Sequence, residues 1–195
     1  LTLLFVGLIW IGIVTFLALK KKKNIVYLLF FTIFYIYLVK VLDYTLFQFQ
    51  SLLLLKHFMP GLMLNGQAVG ESMNLLPLVT LTPEDLKTSL LNVLLMVPFG
   101  FGLPFVTSLR MKRVVVVGAL FSIAIECLQL ITGLIAQTTF RIADINDVIF
   151  NTAGVVIGYL LFVGFIYTYR HIFPNLVASK NPILRHIAER PQVNK

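Results

Sequence analysis

The chain has 195 residues, 58% of them hydrophobic and only 12% charged, against the charged share of about a quarter usual in soluble domains. That deficit excludes an ordinary water-soluble domain and places the chain in a bilayer. The formal net charge of +8 is therefore weighed against a membrane surface and not against nucleic acid, and the single cysteine, Cys127, excludes an internal disulfide.

A bilayer span needs about 20 mostly apolar residues. Residues 1–19 form the first such run. Lys20, Lys21, Lys22 and Lys23 follow it, whereas a cleavable signal peptide carries its basic residues first, so a retained helix is expected. Residues 25–42 form the second run. The stretch 43–88 then contains "FQFQSLLLLKHFMPGLMLNG", which reads either as the end of helix two or as a partly inserted interfacial segment. "PEDLK" starts helix three, with Thr82 as N-cap, Pro83 at the first position and Glu84 and Asp85 in the first turn. Spans three, four and five are predicted at 89–108, 114–135 and 148–169. The runs are too long and too uniformly apolar for a membrane β-barrel. The expected fold class is an all-α polytopic membrane bundle of about five helices.

Lysine and arginine orient it. Lys20 to Lys23, then Arg110, Lys112 and Arg113, then Arg170, Lys180, Arg185, Arg190 and Lys195 fall on one side of a five-span chain. The other side keeps Lys40, Lys56, Lys87 and Arg141, and holds Asp43, Glu71, Glu84, Asp85, Asp144 and Asp147. The N-terminus is therefore expected outside and the C-terminus in the cytoplasm. Residues 171–195 read as a basic cytoplasmic tail.

Polar residues inside spans are costly and mark function by default. Counted from Arg113 at about 1.5 Å per residue, Glu126 sits roughly 20 Å up a hydrocarbon core about 30 Å thick. A carboxylate there costs about 2.5–3.5 kcal/mol unless it is paired, hydrated or protonated. Ser122, Glu126, Gln129 and Gly133 share one face of helix four. If helix five begins early, Asp144, Asp147, Asn151, Gly154 and Gly158 share one face of it. Gly154 and Gly158 form a GxxxG pattern that permits close helix approach. Asn92 opens span three and precedes "PFGFGLP", whose prolines should bend or loosen the helix. One outward-facing cavity lined by Asn92, Glu126, Gln129, Arg141, Asp144, Asp147 and Asn151 is inferred. Three carboxylates against Arg141 leave a surplus of negative charge, which raises carboxyl pKa values. Oxygen ligands of this kind suit magnesium or calcium as a cofactor. Each residue also has a plain role. Arg141 and Asp144 fit a surface ion pair, Asp144 and Asp147 suit the helix dipole, and Gln129 and Asn151 suit interhelical bonding. Lys40 and Asp43 read as a snorkelling pair at a helix end.

The ordered set "NLLPL", "NVLLMVPFGFGLP", "ECLQ" and "RIADINDVIFNTAGVVIGY" resembles the VanZ-like family of small bacterial membrane proteins, over roughly residues 25 to 165. The family's recurrent polar positions fall on the seven residues that depth and spacing pick out. The resemblance implies a VanZ-like domain over 1–170 in a bacterial plasma membrane. It also implies lowered susceptibility to teicoplanin, a lipid-bearing glycopeptide, and to related drugs. It implies no particular reaction, so any activity rests on the site. There, Glu126 suits proton transfer, while Asp144 and Asp147 suit binding a cation or placing a nucleophile. Arg141 suits an anionic group; Asn92, Gln129 and Asn151 suit substrate orientation. The expected partners are membrane lipids or a lipid-linked envelope precursor, and the glycopeptide itself, with no nucleic acid. A non-catalytic lipid- or antibiotic-binding protein and a small transporter are the competing readings.

Overall fold

In hydrocarbon every backbone N–H and C=O must find its bond within its own segment, so long apolar runs become helices. The computed structural model describes residues 2–58, 73–74, 76–78, 83–136, 143–177 and 180–190, with backbone alone at 2–3, 47–58, 73, 83–84, 133–136 and 143. In chain order it has α1 (Thr2–Leu19), α2 (Ile25–Phe58), β1 (Met73–Asn74), α3 (Pro83–Val106), α4 (Met111–Ala136), β2 (Ala143–Asp144) and α5 (Ile145–Ile172), and then α6 (Pro174–Val177) and α7 (Pro182–Ala188). The protein is an all-α membrane bundle. Four helices are long and apolar enough to cross a membrane, over Ile25–Leu46, Asp85–Val106, Met111–Thr132 and Ile145–Ile172. The apolar part of α1 among the described residues is Leu4–Leu19, shorter than the other four.

Helix two continues well past residue 42. Lys40, Asp43, Gln48 and Gln50 are polar but do not break a helix, and no glycine or proline intervenes before Pro60. Of the two readings of this stretch, the end of helix two is the one realised as far as Phe58. Helix three begins at Pro83 and runs unbroken through Pro98 and Pro104, so Asn92 lies more than two turns inside it. Helix five begins early, with Asp144 as its N-cap.

Interhelical contacts fix the directions. Tyr27 donates its hydroxyl to the Val106 carbonyl at 3.1 Å and Tyr37 to the Leu95 carbonyl at 2.7 Å, so α2 and α3 are antiparallel. Gly154 lies against the Val93 carbonyl and Gly158 against the Val97 carbonyl, so α3 and α5 run parallel, backbone on backbone. Ser122 faces Asn151 and Gly118 faces Val155, so α4 runs antiparallel to α5. Helix α1 stands outside this group and leans on α2, through Trp10 Nε1 to Thr32 Oγ1 (3.2 Å) and the Tyr35 hydroxyl to the Val6 carbonyl (2.9 Å). The core between α2, α3 and α5 is aromatic. Phe105 stacks on Phe30 at 5.2 Å and meets Phe162 edge-on at 5.1 Å between ring centroids.

The stretch beyond residue 170 folds back onto the bundle in its described part. Asn181 caps α7 by accepting from the Ile183 N–H at 2.9 Å, with Pro182 at the first position. That helix buries His186, which stacks on Phe30 at 4.9 Å. Arg190 donates to the Phe105 carbonyl at 2.9 Å and to His186 Nδ1 at 3.1 Å. The imidazole proton therefore sits on Nε2, which donates to the same carbonyl at 3.1 Å. Basic groups thus close the C-terminal end of α3, where free carbonyls and the helix dipole favour them.

Candidate functional site

The opposite end of the bundle carries the polar residues. Asp144 is held by three kinds of contact. Its carboxylate accepts from the Asn146 N–H at 2.8 Å as helix cap and from Asn74 Nδ2 at 3.2 Å, and its own N–H is donated to Glu126 Oε2 at 3.2 Å. Met73 and Asn74 pair in parallel with Ala143 and Asp144, which lashes the segment before α3 to the start of α5. Asn146 strengthens the lashing by accepting the Leu78 N–H at 2.8 Å. Leu78 adopts φ 60°, a left-handed conformation that leucine rarely takes without such a hold.

Deeper in, Asn151 donates to Ser122 Oγ at 2.8 Å, both side chains being buried. Nearer the mouth, Gln129 donates to the Thr45 carbonyl at 3.1 Å and so ties α4 to α2. The register of α4 on α5, Ser122 beside Asn151, sets Glu126 and Asp147 at one level, one turn nearer the mouth. Glu126 is half-buried and Asp147 is buried. Asn92 joins from α3: Gly154 against the Val93 carbonyl brings the two helices to the same depth there. Among the described residues, Asn92 Nδ2, Gln129 Oε1 and Asn151 Oδ1 are buried atoms with no hydrogen-bond partner. Each such atom costs about 1–3 kcal/mol if nothing binds it. Buried polar atoms left in this way call for a partner, whether water, an ion or a ligand.

Six of the seven expected site residues therefore share one end of the bundle. Arg141 lies outside the described residues. Glu126 accepts the backbone N–H of Asp144, so no hydrocarbon layer separates the Glu126 carboxylate from the start of α5. Thr45, Asn74 and Asn146 take part without having been picked out. Asn74 carried a signal, since "NLLPL" belongs to the motif set, but a lone asparagine before a turn has too many bland explanations. Among the described residues no group of three His, Cys, Asp or Glu side chains is placed to hold a metal ion. Asp144 accepts from Asn74 on both oxygens and from the Asn146 N–H on one.

Chemically, the arrangement offers buried amides that give and take hydrogen bonds, beside carboxylates at the entrance. Residues 3–167 of the chain match the VanZ/LLP1 family, and the chain belongs to that family. The match spans α1 to α5 and leaves out α6 and α7. No curated protein and no solved structure matches.

Proposed function

We propose that this member of the VanZ/LLP1 family is a bacterial plasma-membrane protein that lowers susceptibility to teicoplanin and lipoglycopeptides. It does so by engaging a lipid-linked envelope component in an outward-facing polar pocket. The observation that carries the reading is the set of unpartnered buried amides, Asn92 and Asn151 beneath the Glu126–Asp144 mouth and Gln129 level with it. The positive-inside rule supports the outward aspect, because the lysines and arginines gather at the far end of the bundle. A lipid in the outer leaflet reaches such a mouth with its headgroup while its chains stay in hydrocarbon.

Glu126 decides between acting and binding. A half-buried carboxyl near other acids is suited to hold or release a proton in the substrate's reach. Expression of the wild-type chain in a susceptible Gram-positive host should raise the inhibitory concentration of teicoplanin several-fold. Glu126→Gln keeps the shape and removes the proton transfer. Loss of the protection at unchanged membrane abundance supports chemistry at Glu126. Retained protection assigns the pocket to binding alone. A wild-type chain that leaves susceptibility unchanged sinks the resistance reading altogether.

A further inference from the structure

The charge and hydrogen-bonding pattern of this pocket restricts what enters it, and this step rests on the reading that a headgroup binds there. We infer that the recognised group is uncharged and both donates and accepts hydrogen bonds, as a sugar hydroxyl or an amide does, and that it is not a phosphate.

The first reason is that the natural anion seat is already taken. A helix N-terminus offers free N–H groups and a favourable dipole to an anion. At α5 the Asn146 N–H is answered by the Asp144 carboxylate at 2.8 Å, and the Asp144 N–H by Glu126 at 3.2 Å. Among the described residues, a phosphate arriving there would meet carboxylate oxygens in place of these two N–H donors. The second reason is the character of what remains unpaired. Asn92 Nδ2 is a donor, while Gln129 Oε1 and Asn151 Oδ1 are acceptors, each on a side chain at least nine-tenths buried. Half a turn of the Asn151 amide exchanges its atoms but still leaves one unpaired, because Ser122 Oγ meets only one of them. A hydroxyl satisfies either arrangement; a phosphate, without donors when ionised, does not. The third reason is reach. Gln129 lies seven residues along α4 from Ser122, about 10 Å at 1.5 Å per residue, so the vacant partners extend from the mouth to the depth of Asn151.

The test uses the full chain in phosphatidylcholine nanodiscs. Glucosyl-diacylglycerol and phosphatidic acid with the same acyl chains serve as probes, and binding is read by native mass spectrometry. The glycolipid should bind at least tenfold more tightly than phosphatidic acid, and both Asn92→Leu and Asn151→Leu should abolish that preference. Free methyl glucoside at high concentration should compete where glycerol phosphate does not, if the headgroup is what is recognised. That competition needs only the wild-type chain, so variants that fail to fold do not blunt the test. Equal or tighter binding of phosphatidic acid overturns the inference. So does a glycolipid preference untouched by either folded variant, or no binding of either lipid, which assigns the three atoms to trapped water. A chain that prefers the glycolipid but leaves drug susceptibility unchanged sinks the resistance reading and leaves this one standing.

Discussion

Among the described residues Asn151 has its hydrogen-bond partner in Ser122, and Ser122 is wholly enclosed, so the two stand or fall together. Removing the hydroxyl by Ser122→Ala leaves both ends of the Asn151 amide without a bond. The loss should be about 1 kcal/mol, since interhelical bonds in membrane bundles average somewhat less than that and an orphaned buried group adds to it. Thermal unfolding in detergent would measure it. In the double variant Ser122→Ala with Asn151→Leu the deficit should shrink, because no polar group is then left stranded. A double variant as unstable as the sum of the singles would show that the two residues act independently. The polar residues of this pair were legible in the sequence through spacing alone, as Ser122, Glu126 and Gln129 recur on one helical face. Their partners were not. Gln129 reaches a backbone carbonyl, that of Thr45, and any residue type supplies one of those. Lys40 and Asp43 form the expected exposed pair at 3.4 Å, and such a pair contributes little to stability.

Helices are where the sequence spoke most clearly, because an apolar run of sufficient length has few other fates in lipid. Their ends were less clear, since hydropathy stops at the polar residues while the helix does not; α2 continues to Phe58 for that reason. The GxxxG pattern of Gly154 and Gly158 did foretell a close approach, and its partner is α3, where Gly100 meets the Val155 carbonyl in return. A methyl group at Gly154 or Gly158 would stand in the place of the carbonyl oxygen of Val93 or Val97. Gly154→Ala and Gly158→Ala should each cost about 1–3 kcal/mol or more, as overpacking does when backbone must move. Gly164 faces open space, so Gly164→Ala is the control and should leave the melting temperature within a degree or two. If all three behave alike, the α3–α5 contact is not as close as described. The docking of α7 had no such signature, being only seven residues long. It turns on His186, whose imidazole burial, and then the Arg190 charge, hold below its usual range, with Lys23 adding in the same sense and Glu189 opposing. A group with a lower pKa when folded binds fewer protons in that state. Docking is therefore complete above the free imidazole value of about 6.5 and weakens as pH falls below it. Hydrogen exchange over 182–188, corrected for intrinsic rate, should quicken at pH 5 relative to pH 7.5. His186→Phe should remove the difference.

At the scale of the whole molecule the structure sorts charge along the bundle axis. Lys23, over the Tyr27 ring at 4.6 Å, shares one end with Arg170 and Arg190, whose side and main chains are joined at 2.6 Å. Asn74, Glu126 and Asp144 share the other. Helix directions alone allow either end to face the cytoplasm; from the bias in lysine and arginine we expect the basic one there. The envelope reading depends on that choice, because a lipid-linked precursor awaiting assembly lies in the outer leaflet and glycopeptides act outside. Labelling can decide it. In a Cys127→Ser background, Leu76→Cys places a thiol on an exposed position beside the polar mouth, and Asn175→Cys places one on exposed α6 at the basic end. A membrane-impermeant maleimide applied to intact cells should modify the Leu76→Cys protein and spare the Asn175→Cys protein until the cells are permeabilised. The reverse pattern would put the pocket in the cytoplasm, where neither a surface-acting antibiotic nor an exported precursor could reach it. The polar cluster would then need an intracellular ligand and the resistance role would fall.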